Sequence, residues 1–275
     1  MNRLWLRQIA TVARLEVAKS LFTLRAAPLY LLAGIPVVAV GLILFFMIVF
    51  GDAPEELGTV GGTAMFYAHI YQVFILRIVI YTGCVWLFMN LFRGEVLDRS
   101  LHYYFLAPIR REVLVAGKFA AGLISAALLF VGTTVASLFL LYAHAGPLAA
   151  LEHLVGGAGL GQLAGYVGVT LLACLGYGAV FLTIGLLLRN PIVPALLIFL
   201  WELINPFLPS LLKKISVVFY LEALLPVRIE DGPFAVIADP VSAWLAVPGL
   251  LIFAAVVLAC AGWRIRRMEV SYGVD

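Results

Sequence analysis

Residues 28–50 read PLYLLAGIPVVAVGLILFFMIVF, a run without one charged side chain. A helix needs about 20 such residues to cross the hydrocarbon core of a bilayer. Runs of this kind recur along the chain, so the membrane governs the rest of the reading. The sequence is 64% hydrophobic and 12% charged, with a mean hydropathy of +1.10. A soluble domain carries about 25% charged residues. The strands of a β-barrel alternate lipid-facing and lumen-facing residues, which dilutes hydropathy well below this level. The expected fold class is therefore an all-α polytopic membrane protein, with residues 1–275 forming one transmembrane domain.

Outward from this run, six transmembrane helices are expected, at 28–50, 69–92, 114–143, 163–188, 192–212 and 243–263. Pro36 should bend the first, because a mid-helix proline removes a backbone hydrogen bond. The third is longer than a crossing requires and should tilt. The fourth carries Gly165, Gly168, Gly176, Gly178 and Gly185, small residues that let helices approach closely in lipid. Pro206 and Pro209 should break the outer end of the fifth. Residues 213–242 are apolar in part, too short to cross, and punctuated by Pro226, Pro233 and Pro240. External re-entrant helices between spans five and six are expected there, since irregular backbone at depth must be shielded.

Residues 1–27 read as an amphipathic helix lying in the membrane interface. On a helical wheel Arg3, Arg7, Thr11, Arg14 and Arg25 share one arc, and Leu6, Ile9, Ala10, Ala13, Val17 and Leu24 the other. The plainer alternative is a basic leader before the first span. Lys and Arg concentrate in this segment, in residues 93–118, at Arg189 and at Arg264, Arg266 and Arg267, whereas 51–63 and 144–161 contain none. That alternation predicts a multi-pass protein of the cell membrane with both termini in the cytoplasm. Lys213, Lys214 and Arg228 run against it without outweighing it.

Signs of catalysis are missing. There is no HExxH and no GxSxG, and His69, His102, His144 and His153 are scattered. Cys84, Cys174 and Cys260 each sit alone in an apolar run and read as small core residues. Gly117-Lys118 lacks the upstream glycine of a phosphate-binding loop and is followed by Phe119. No catalytic residue, metal or cofactor is expected in this chain, and no nucleic-acid partner. Two ionisable residues fall near the middle of expected spans, Arg77 and Glu202, where an unpaired charge costs several kcal/mol. Either they pair with each other or line a polar path, or Arg77 snorkels and Glu202 lies near the outer mouth.

The charged segment between spans two and three, residues 93–118, reads RGEVLDRSLHYYFLAPIRREVLVAGK. Glu95 to Leu106 spans about three helical turns. Leu97, Leu101, Tyr104 and Phe105 fall on one side, and Glu95, Asp98, Arg99 and His102 on the other. Pro108 stops the helix, and Arg110 to Lys118 leads into the third span. Mixed charge around aromatic anchors suits docking to a protein better than docking to lipid.

Here the sequence resembles the ABC-2-type permeases, the transmembrane subunits of ATP-binding-cassette exporters. Glu95 stands where that family has a Glu at the end of the second span, and Ser100-Leu101 matches the small residue and Leu that follow. Leu106-Ala107-Pro108-Ile109-Arg110-Arg111 departs by one residue from the commonest Leu-x-x-Pro spacing, and Lys118 matches the Lys opening the third span. The resemblance implies a type V exporter fold with a coupling helix at about 94–106 inside a coupling loop at 93–113. It implies a separate cytoplasmic ATPase that carries ATP and Mg, and a second permease subunit beside the translocation path. Glu95, Leu97, Asp98, Arg99, Leu101, Tyr104, Phe105, Pro108 and Arg110 would make the ATPase contact, with membrane lipid around the spans. A secondary transporter would instead show repeats in matching halves, and an intramembrane enzyme or scaffold would show clustered polar residues at depth.

Overall fold

The computed structural model describes residues 2–51, 60–97, 106, 109–143, 152, 156–157, 159–188, 190–227, 229, 236 and 241–267. The chain forms α1 (Asn2–Leu21), α2 (Ala27–Phe50), α3 (Val60–His69), a π-helical stretch (Ile70–Ile80) and α4 (Tyr81–Leu97). It continues with α5 (Arg111–Ala143), α6 (Gly159–Leu187), α7 (Ile192–Leu203), α8 (Ser210–Lys213), α9 (Val217–Glu222) and α10 (Ala243–Arg266). No strand occurs among the described residues.

Five helical runs are long and apolar enough to cross a membrane: Ala27–Phe50, Gly61–Glu95, Arg111–Ala143, Gly159–Leu187 and Ala243–Arg266. The protein is thus an all-α, multi-pass membrane protein. The fifth expected span, 192–212, is instead the 12-residue α7 followed by a 3-10 turn at Asn205–Phe207. Pro206 has no N–H to donate to Glu202 O, so the α-helical ladder stops and the chain tightens into the 3-10 turn. The second span starts earlier than expected, because Gly61 and Gly62, read as linker, lie inside the helix. The α-helix of that span also continues to Leu97 and α5 already begins at Arg111, so both ends of the expected 93–113 loop are helical.

Pro28 opens α2 in its first turn, where a missing N–H costs nothing. Gly51 closes it in the left-handed region, φ 71°, its N–H reaching Met47 O at 3.0 Å. Near Pro36 a hydroxyl from α5, Thr133, donates to Ala33 O at 2.7 Å. This is a usual way for a neighbouring helix to satisfy backbone in lipid.

The core lies where α4, α5 and α6 meet, and α1, α2, α9 and α10 pack around it. Phe88 of α4 is fully buried against Gly122 of α5 and Gly178 of α6. Next to it the backbones touch: a Cβ on Gly185 would lie 2.8 Å from Met89 O. Close approach of this kind is how helices associate in lipid, where packing replaces the hydrophobic drive. Towards the far end of the bundle, buried hydroxyls bond to helix carbonyls and to one another. Tyr67 donates to Thr134 O at 2.9 Å, and Tyr71 lies 2.8 Å from Thr170 Oγ1.

Candidate functional site

Among the described residues the charged side chains gather in two places, one at an end of the α4–α6 core and one near the middle of the Gly61–Glu95 run. The first is at the end where α4 stops at Leu97 and α5 begins at Arg111. Lys118, in the second turn of α5, is fully buried. Its ammonium donates to Glu95 Oε1 at 2.7 Å, Glu16 Oε1 at 2.8 Å and Leu91 O at 2.8 Å. The Phe92 ring lies 5.3 Å away. Lys19 approaches Glu95 Oε1 from outside at 3.4 Å. An ammonium has three N–H groups, and here all three are used.

Three elements contribute, one group or more each: Glu16 and Lys19 from α1, Leu91 and Glu95 from the last turns of α4, and Lys118 from α5. The helix α1 reaches this position because Ile9, Val12 and Ala13 pack on α5, where Gly117 leaves room; a Cβ there would meet Val12 at 2.8 Å. Arg7 and Arg14 face outward, as the wheel predicts. Burial pushes the Glu16 carboxyl up, but the charges of Lys118 and Lys19 outweigh it and hold the group below its usual range.

This arrangement alters the expectation for Glu95. Read as part of a docking helix beginning near Gly94, it lies instead in the last turns of α4, with a side chain 1% exposed. It faces Lys118, so it positions the segment that follows and presents no surface to a partner. Arg110 is exposed and stacks 4.7 Å over the Trp5 ring of α1. Asp98, Arg99, Leu101, Tyr104, Phe105 and Pro108 lie outside the described residues, as does the Leu97 side chain. Arg111 donates to Ile265 O and Arg266 O at 3.2 and 3.3 Å, and Glu112 pairs with Arg266. The last carbonyls of α10 favour such cations. The polar contacts at this end of the bundle therefore join α1, α4, α5 and α10.

The second cluster contains Arg77, within the π-helical stretch and near the middle of the Gly61–Glu95 run. Arg77 does not pair with Glu202. Its guanidinium pairs with Glu222 at the end of α9, and Gln72 Nε2 donates to the same carboxylate oxygen at 3.0 Å. The Arg77 and Glu222 side chains are 12% and 19% exposed. Arg77 Nε and Gln72 Oε1 are buried without a protein partner among the described residues. Glu202 belongs to the other end of α9. It accepts from Ser216 Oγ at 2.5 Å and from the Val217 and Val218 amides at 3.0 Å each. The two acids thus hold the six-residue α9 by its two ends, Glu202 as an N-terminal cap and Glu222 through Arg77.

Sequence reasoning missed Glu16 and Glu222. For Glu16 a signal existed: on the wheel it falls among Ile9, Val12 and Ala13, a lone acid on an apolar face. Glu222 sits in the short segment 213–242, whose fold back onto the bundle no periodicity reveals. No family model, curated protein or solved structure matches this chain.

Proposed function

We propose that this chain is the membrane-spanning permease subunit of an ATP-driven exporter of the ABC-2 type. In this reading it receives motion through residues 98–110 from a separate cytoplasmic ATPase that binds ATP and Mg. The observation that carries the proposal is the Glu95–Lys118–Glu16 cluster. It locks the two shoulders of the 98–110 segment to each other and to α1. A push on that segment then moves α1, α4 and α5 as one body. The charge-rich segment with its aromatic side chains supplies the docking surface, and Glu95 and Lys118 are positioning residues behind it. Both termini and the 98–110 segment lie in the cytoplasm of a cell membrane, following the Lys/Arg distribution. A second permease subunit completes the path, and Arg77 with Gln72 supplies polar groups at mid-depth.

The test is co-expression with the ATPase encoded beside it. A tagged permease should bring the ATPase with it through detergent extraction. Arg99→Glu with Tyr104→Ala and Phe105→Ala should release the ATPase while the permease stays monodisperse. Failure of any ATPase to co-purify, or a complex indifferent to the triple variant, would overturn the reading.

A further inference from the structure

Where α1 turns into α2, the two helices meet α4 along a groove of about 370 Å³. Its wall changes character along its length. At the end nearer the charged cluster it is lined by Glu16, Lys19, Ser20, Asn90 and Gly94, the Glu16 carboxylate being held by Lys118. One to two helical turns deeper it is lined by Pro28, Leu29, Trp86 and Leu87. Both helices impose this order, since α4 runs from Trp86 towards Gly94 as it leaves the bundle and α2 runs inward from Pro28. The polar-to-apolar change therefore follows the helix axes, which is the direction in which a bilayer passes from headgroup to hydrocarbon.

The polar end presents a cation. Glu16 and Glu95 are both taken up by the fully buried Lys118. Lys19, by contrast, is 48% exposed, and its ion pair among the described residues is the long 3.4 Å contact to Glu95. Beside it the Asn90 amide is exposed. At the mouth Phe22 and Leu24 point outward, and deeper in the groove Trp86 is half-exposed.

We propose that this groove binds one glycerophospholipid of the surrounding leaflet. Its phosphate sits on Lys19 and Asn90, and one acyl chain runs along Pro28, Leu29 and Trp86. The second chain stays in the bilayer. Charge pairing with phosphate fixes the head, and apolar burial fixes the chain. A soluble anion would use the first part of the site and leave the second empty.

Native mass spectrometry of the delipidated full chain, titrated with dioleoyl phosphatidylglycerol, tests this. One lipid should persist after loosely held lipid is stripped. The Cβ position of Gly94 meets nothing within 4 Å, so Gly94→Phe fills the groove without moving backbone. It should reduce the persistent occupancy at least fivefold, with Gly94→Ala unchanged and Lys19→Gln weakened about tenfold. Inorganic phosphate should not compete at millimolar concentration. If it displaces the lipid whatever the chain length, the site takes an anion alone and the proposal fails. Equal occupancy in Gly94→Phe and the parent also overturns it. A phospholipid with a photoreactive acyl chain keeps the question answerable on the unaltered protein. Its label should fall on residues 24–29 and 86–91, and label confined to other helices refutes the site.

Discussion

Lys118 and Glu95 face each other at 2.7 Å, one at the start of α5 and the other at the end of α4. α4 stops two residues after Glu95, and α5 begins seven residues before Lys118. The pair is buried, and Glu16 shares the same ammonium. Removing one partner of a buried ion pair costs about 3–5 kcal/mol, while replacing the whole set by neutral groups is often tolerated. Lys118→Met should therefore lower the thermal midpoint in detergent sharply, since two carboxylates are left together out of water. Lys118→Met with Glu16→Gln and Glu95→Gln should recover most of that loss. A triple variant as unstable as the single one would show that charge is not what holds α1.

Glu16 brings a sensitivity to acid of its own to this cluster. In the folded protein the Glu16 carboxyl titrates below its ordinary value of about 4.5, so the unfolded chain binds a proton more readily. Its contribution is complete above that value and is lost as pH falls through the lower folded value. Thermal midpoints followed from pH 7 to pH 3 should fall in the acid range, and Glu16→Gln should flatten that fall.

Glu202 holds the first amides of α9 as a helix cap. Cap removal costs about 0.5–2 kcal/mol, which is roughly a tenfold change per 1.4 kcal/mol. In Glu202→Ala, hydrogen exchange at the Val217 and Val218 amides should speed by about an order of magnitude. Ser216→Ala should have a smaller effect, because both amides keep their acceptor.

Arg77 distinguishes between its two candidate partners by thermodynamic coupling. Charge-removing substitutions at Arg77 and Glu222 should couple by about 1–3 kcal/mol in a double-mutant cycle, whereas Arg77 and Glu202 should be additive within about 0.5 kcal/mol. Melting curves of the four proteins in each cycle decide it.

Two glycines of the same helix should behave oppositely. Gly185→Val drives a side chain into the Met89 backbone and should cost about 1–3 kcal/mol. The Cβ position of Gly168 meets nothing within 4 Å. Gly168→Ala should therefore be neutral or stabilise by up to about 1 kcal/mol, through helix propensity alone. Chemical or thermal denaturation in one detergent reads both.

The hydropathy of the sequence carried the long helices to within a few residues at most ends, because burial in lipid demands unbroken apolar length. It failed where another force decided the boundary. Gly61 and Gly62 look like linker, yet the helix continues through them. The break expected from Pro206 in the 192–212 run is present, but it falls early enough to leave an α-helix of 12 residues. The sites were legible as residue types and not as partners. Glu95, Lys118, Arg77 and Glu202 all stand out in the sequence as charges beside or within apolar runs. What each one binds depends on how α1 and α9 fold back, and both approaches are tertiary. Arg77 and Glu202 are the plain case: two charges of opposite sign, both expected at midspan, that bind elsewhere because a six-residue helix lies between them.

A ribosome makes this chain from its N-terminus, and the two charge clusters differ in what that order permits. Glu16 and Glu95 are both synthesised before Lys118, so the lysine enters a membrane in which its counter-ions already exist. Arg77 is made 145 residues before Glu222. Through most of synthesis its guanidinium stands at mid-depth without the carboxylate that will neutralise it, at the cost such a charge carries in hydrocarbon. The end of the bundle around Lys118 can close as it emerges, whereas the middle of the bundle around Arg77 has to wait for α9. Insertion intermediates truncated before residue 222 should therefore remain open around Arg77 while the Lys118 cluster is already closed.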